Sequence, residues 1–163
     1  MVKFEYFYKK ITMHKHFDTL KKSRKLLLRI IEGLTVDQLN TIPKGFKNNI
    51  AWNIAHLVVT QQLLCYRLSG ENCLVSDEMI DKYRKGTAPT NPVSAAEFES
   101  IKTLLTTLPS RLEEDYNAKI FKSYNEYTTS VNVSLNSIDD AIVFNTFHEG
   151  FHLGVVLQLK KLV

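Results

Sequence analysis

The chain has 163 residues, enough for one domain with a substantial core, and its composition is that of an ordinary globular protein. No apolar run approaches the length of a membrane span, and Met1-Val2-Lys3-Phe4-Glu5 carries an early acid and no apolar segment of the kind a secretion signal needs. A net charge of +4 with no accompanying recognition motif argues against nucleic acid as a partner. Two cysteines, Cys65 and Cys73, in no metal-like or redox-like spacing, fit a reduced, cytoplasmic setting.

Four long helical patterns follow one another. The first spans residues 17–32, with Leu20, Leu27, Ile30 and Ile31 on its apolar side and Gly33 as its stop. Much of the positive charge falls here, in Lys21, Lys22, Arg24, Lys25 and Arg29; of these, Lys21, Lys25 and Arg29 recur at i, i+4, i+8 and read as the solvated face of an amphipathic helix. Thr35-Val36-Asp37-Gln38 has the form of a capping box opening a short turn, ended by Pro43 and Gly45. The second helix spans residues 49–68 and stops at Gly70. The third opens at Ser94-Ala95-Ala96-Glu97, another capping box, and carries Phe98, Ile101, Leu105, Leu108 and Leu112. Pro109 predicts a kink or a split in it.

The fourth opens at Ser137-Ile138-Asp139-Asp140, with acids at its positive pole and Lys160 and Lys161 at its negative one. A long connection containing Gly86, Pro89 and Pro92 separates the second helix from the third. Before the fourth, Val131, Val133 and Leu135 alternate as in a short extended arm. Four helices with two long connections predict one all-α domain over residues 1–163, a four-helix bundle with long crossover connections.

The chemistry concentrates in His148-Glu149-Gly150-Phe151-His152. At about 100° per residue, the two histidines share a helix face with Phe144, Val155 and Leu159. An unsatisfied buried polar group costs about 1–3 kcal/mol, so imidazoles on such a stripe need partners. A metal ion or a packed hydrogen-bonded cluster would each supply them. The letters H-E-x-x-H also match the zinc-protease signature, whose glutamate is the general base. Such enzymes take a third ligand downstream, however, and residues 153–163 contain no His, Asp, Glu or Cys. A third ligand has to lie upstream. His56, on one face with Trp52, Val59 and Leu63, offers it, giving three histidines on two helices and open coordination positions. Zn or Ni suits that ligand set, and Fe is compatible. His14 and His16, before the first helix among lysines, read as exposed.

Glu149 lies about 100° round the helix from His148 and is not a ligand. It is the candidate catalytic base, or an orienter of an imidazole, against the alternative of a solvent-facing or salt-bridged surface acid. Asn53 and Asn145 each precede a histidine by three positions; they either hold a ring nitrogen or bound water, or are ordinary helix-interface amides. Trp52 joins them as a pocket candidate, whereas Cys65 faces away from His56. Gly150 and Gly154 lie on the side of the last helix away from the histidines. A mid-helix glycine costs about 1 kcal/mol against alanine, so the two predict close approach of another helix, from this bundle or from the second subunit of a homodimer.

The run Trp52-Asn53-Ile54-Ala55-His56-Leu57, on a helix ending in Leu68-Ser69-Gly70, resembles the second helix of the DinB-like (DinB/YfiT) superfamily. His148-Glu149-Gly150-Phe151-His152-Leu153-Gly154 resembles its last-helix motif, and residues 34–43 its first connection. The resemblance covers essentially the whole chain, in order. It implies a four-helix bundle, often a homodimer, whose triad (here His56, His148 and His152) binds a divalent metal. It also implies an activity like that of relatives that are thiol-dependent transferases and isomerases using low-molecular-weight thiols. Val155 departs from the pattern, since many members have Gln after that glycine. The expected function is a divalent-metal-dependent S-transferase or hydrolase acting on a small molecule, with no nucleic-acid or membrane partner. The alternative is a non-catalytic metal- or small-ligand-binding bundle.

Overall fold

In the computed structural model, which describes residues 2–163 with side chains from Met13 onward, six helices follow one another: α1 (Val2–Ile30), α2 (Val36–Asn40), α3 (Ile50–Cys65), α4 (Asp77–Tyr83), α5 (Ala95–Asn117) and α6 (Ile138–Lys160). A 3-10 turn at Arg67–Ser69 follows α3, and a small antiparallel hairpin, β1 (Tyr127–Thr128) with β2 (Ser134–Leu135), precedes α6. The fold is all-α. Residues 1–5, read above for a secretion signal, lie outside the described side chains. No helix among the described residues is long and apolar enough to cross a membrane.

Short polar side chains set the helix starts. Thr35, Asn49, Ser76, Ser94 and Ser137 each accept a hydrogen bond from the backbone N–H three residues on, satisfying a donor that the first helical turn leaves free. The box at Thr35 is complete, because Gln38 reaches back to the Thr35 N–H. The one at Ser94 is half made: Glu97 turns instead to Lys82 and Tyr83 of α4.

Several expectations are corrected. The first helix begins at Val2 rather than at residue 17, so His14 and His16 are helical. His14 is exposed beside Glu113, but His16 is half-buried, 3.3 Å from the Thr146 hydroxyl. The connection read as loop after the second helix contains α4. Pro109 does not split α5, which runs through it. Lacking an N–H, it leaves the Leu105 carbonyl without its helical partner, and the guanidinium of Arg24 donates to that carbonyl at 3.1 Å.

Arg24 parts from the basic residues around it on the first helix. It belongs to no solvated face: it is 1% exposed, at the centre of the molecule. Its Nε and Nη2 donate to Glu149 Oε1 of α6 at 3.0 and 2.6 Å, its Nη2 to Leu57 O of α3 at 3.2 Å, and its Nη1 to α5. One side chain of α1 thus reaches all three other long helices. Around it, α1 packs on α5 and α6, and α3 packs on the same two, closing a ring. Leu27, Ile54, Val58, Leu105, Val156 and Leu159 fill one part of the core, and Phe17, Leu20, Tyr66, Leu112 and Ile142 another. Each such side chain contributes about 1.5–3 kcal/mol through burial.

Candidate metal centre

His56 of α3 and His148 and His152 of α6 converge where these two helices pack. One nitrogen from each lies within 4.8 Å of the others, and the ring centroids are 4.5 to 5.2 Å apart. The i, i+4 spacing on α6 stacks its two rings one turn apart, while α3 brings the third from across the interface. His56 is buried and the other two are half-buried, at the rim of the core.

Hydrogen bonds orient two of the rings. The Nδ1–H of His56 donates to the Tyr83 carbonyl at the end of α4 (2.7 Å), which leaves Nε2 with the lone pair; the Thr60 hydroxyl donates to it at 3.2 Å. Trp52 stacks on the same ring, with centroids 4.6 Å apart and planes 11° from parallel, and is held by its Nε1–H to Thr87 Oγ1 at 3.1 Å. The Nδ1–H of His152 donates to Asn53 Oδ1 at 2.8 Å. That amide is fixed in turn, because its NH2 donates to the Asn49 carbonyl at 2.7 Å. His148 differs: its buried Nδ1 has no hydrogen-bond partner among the described residues.

Burial keeps all three rings neutral. It lowers His56, against the pull of the Tyr83 carbonyl, and takes His148 down to about 3, helped by its histidine neighbours and Arg24. His152 falls to about 4 through burial and His56. Neutral imidazoles with converging lone pairs, one ring nitrogen unsatisfied and two rings locked by their far nitrogens are what a metal needs from its ligands. The group could hold a metal ion.

The sequence profile of the DinB superfamily matches residues 19–156. The chain belongs to the DinB superfamily. No curated protein matches the chain significantly.

In this DinB-superfamily chain the glutamate of the histidine motif is not part of the cluster. Glu149 is 2% exposed and turned into the core against Arg24, so it is neither a solvent-facing nor a surface salt-bridged acid. Burial pushes its carboxyl up, opposed by the Arg24 guanidinium and the Asn145 amide. It makes no hydrogen bond to the imidazoles among the described contacts. Asn145 is buried on the same inward side and has no described bond to a histidine. Asn53 does hold a ring, that of His152 on the neighbouring helix. Cys65 is buried and its thiol is pushed up to about 12, which removes it as a nucleophile.

Sequence reading missed Tyr83, Thr87 and Thr60. The first two depend on α4, whose start was signalled by Ser76 followed by Asp77 and Glu78, a cap with acids in the first turn. Thr60 carries the helical i, i+4 relation to His56 as its only signal.

Proposed function

We propose that His56, His148 and His152 hold a divalent metal ion, Zn or Ni with Fe also compatible, in a four-helix bundle with crossover connections. The chain would be a metal-dependent S-transferase or hydrolase acting on a small molecule in the cytoplasm. The observation that carries this is the convergence of three neutral imidazoles from two helices, with ligand atoms within 4.8 Å of one another. The closed ring of α1, α5, α3 and α6 supports the bundle, and the free thiols of Cys65 and Cys73 are compatible with a reducing compartment.

A divalent ion held by neutral ligands keeps its full charge and lowers the pKa of a thiol or water, supplying a nucleophile near neutral pH. The protein's own part is orientation. Tyr83 and Asn53 fix two rings through their far nitrogens, and the flat face of Trp52 limits rotation of His56. The apolar ring of Phe151 packs edge-on against His152, so an uncharged or apolar electrophile suits the surroundings of the cluster better than a polyanion.

One observation favours the second reading, a non-catalytic metal or small-ligand binder. The described partners of the imidazoles are a carbonyl, a hydroxyl and an amide, with no carboxylate among them, and Glu149 is withdrawn. No general base is built in. The deciding experiment offers the metal-loaded protein a panel of low-molecular-weight thiols with model electrophiles and esters. Turnover that disappears in His148→Ala supports the enzyme. Metal-dependent binding of a thiol without turnover on any electrophile or ester supports the binder.

A further inference from the structure

Tyr83 is held at both of its ends, by side chains of two different helices. Its carbonyl, at the last position of α4, accepts the Nδ1–H of His56 of α3 at 2.7 Å. A C-terminal carbonyl has no partner within its own helix, so the imidazole serves as its cap. The Tyr83 phenol donates to Glu97 Oε1 of α5 at 2.9 Å, and Lys82 Nζ donates to the same oxygen at 2.6 Å. Burial, and then Glu97, push the phenol up, so it keeps its proton and remains the donor.

Seven residues are too few for a helix to hold its place unaided. Ile80 and Tyr83 are buried in the core, but burial is non-directional: it turns one face of α4 inward and leaves its exact seating loose. Between α4 and α5 lies a cleft of about 250 Å³, with Met79 on one wall and Ile101 and Leu104 on the other. Glu97 bridges it. As the third residue of α5 behind Ser94, this glutamate stands where a capping box would turn it back on its own helix start. It reaches across to α4 instead.

We propose, building on the metal reading above, that Glu97 is a positioning residue of the histidine site, acting through Tyr83 to fix the plane and tautomer of His56. Glu97 makes no described bond to an imidazole; its bonds run to α4. The chain of contacts is short. Glu97 anchors the Tyr83 ring, the ring anchors the backbone that bears it, and the Tyr83 carbonyl keeps the proton of His56 on Nδ1 and the lone pair on Nε2. The same turn of α4 also seats Trp52. Thr87 Oγ1 lies 2.9 and 2.8 Å from the Lys82 and Arg84 carbonyls and accepts the indole N–H, so the ring that stacks on His56 depends on the same turn.

The test reads two quantities on the full-length untagged protein: Zn²⁺ affinity by competition with a chelating dye and, without metal, the exchange rate of the His56 Nδ1–H by NMR. Tyr83→Phe keeps the ring and the carbonyl and removes only the phenol donor. It is expected to weaken Zn²⁺ binding about tenfold and to speed exchange of the His56 proton, while the His152 Nδ1–H, held by Asn53, exchanges as before. Glu97→Ala is expected to do the same, and the Tyr83→Phe/Glu97→Ala double variant no more than the larger single, since both break one chain of contacts. Glu97→Gln, whose amide oxygen still accepts from Tyr83, is expected to recover most of both. Ile142→Val, a change in the other part of the core, is expected to lower stability and to move neither quantity. Wild-type affinity in Tyr83→Phe and Glu97→Ala overturns the proposal, and so does unchanged exchange of the His56 proton. Equal shifts in Ile142→Val overturn it too, because they would reduce the effect to general stability. A wild type that takes up no Zn²⁺ refutes the metal reading by itself, and the exchange rate then decides alone whether Glu97 sets the ring.

Discussion

His148 and Glu149 are neighbours in sequence, yet the protein treats them in opposite ways. Glu149 points to the centre of the molecule, where Arg24 meets its charge and also satisfies carbonyls on α3 and α5. Each nitrogen of the Arg24 guanidinium has an acceptor. His148 sits about 100° round the helix at the rim, beside two other rings that burial keeps neutral, and its Nδ1 has no partner among the described residues. A polar group whose requirements are met is holding the fold together. A polar group left wanting, next to two others poised in the same tautomeric sense, is waiting for something the chain does not itself provide.

The largest effect is expected at the centre. Arg24→Ala strands a buried carboxylate and two carbonyls, and is expected to cost about 3–5 kcal/mol of unfolding free energy in urea titration. Replacing both partners, Arg24→Met with Glu149→Leu, is expected to recover much of that loss. An Arg24→Ala protein as stable as wild type would remove the centre's structural role.

The rim responds to pH instead. Folding holds His148 and His152 down to about 3 and about 4 and lowers His56, from an ordinary value of 6.5. Unfolding restores the ordinary value, so the unfolded chain takes up the protons. The stability carried by neutral rings is therefore complete above about pH 6.5 and is lost as pH falls toward the folded values. The metal-free wild type is expected to lose stability between about pH 7 and pH 5 more steeply than a His148→Ala/His152→Ala variant. Equal slopes would contradict the neutral, buried rings.

Smaller effects sharpen the rim further. Asn53→Ala frees the His152 ring and is expected to weaken metal binding about 10–100-fold with the ligands intact, measured by competition with a chelating dye. Thr87→Val removes the acceptor of the Trp52 indole and is expected to cost about 1 kcal/mol in stability, with a smaller change in metal affinity. An Asn53→Ala protein with wild-type affinity would show that the hydrogen bond to His152 is incidental.

What could be read in the sequence was local. The i, i+4 pair on α6 and the face shared by Trp52, His56, Val59 and Leu63 were visible from helical periodicity alone, and so were the cap at Thr35 and the core positions of α5. Arg24 was counted only among the basic excess of the first helix and was given no place in the core. Its spacing from Leu20 and Leu27 already put it on the buried side, but the partner that makes burial tolerable is Glu149, 125 residues away. That α5 runs unsplit through Pro109 was hidden for the same reason, since the donor that serves Leu105 O comes from another helix. The hold of α4 on His56 runs through a backbone carbonyl, which no side-chain pattern announces.

Metal titration of the untagged, chelator-stripped protein decides whether His56, His148 and His152 act as one metal site. About one Zn²⁺ or Ni²⁺ per chain is expected, with saturable uptake lost in each of His56→Ala, His148→Ala and His152→Ala, while Glu149→Gln keeps it as long as the protein stays folded. No uptake by the wild type, or undiminished uptake by His56→Ala, would contradict it.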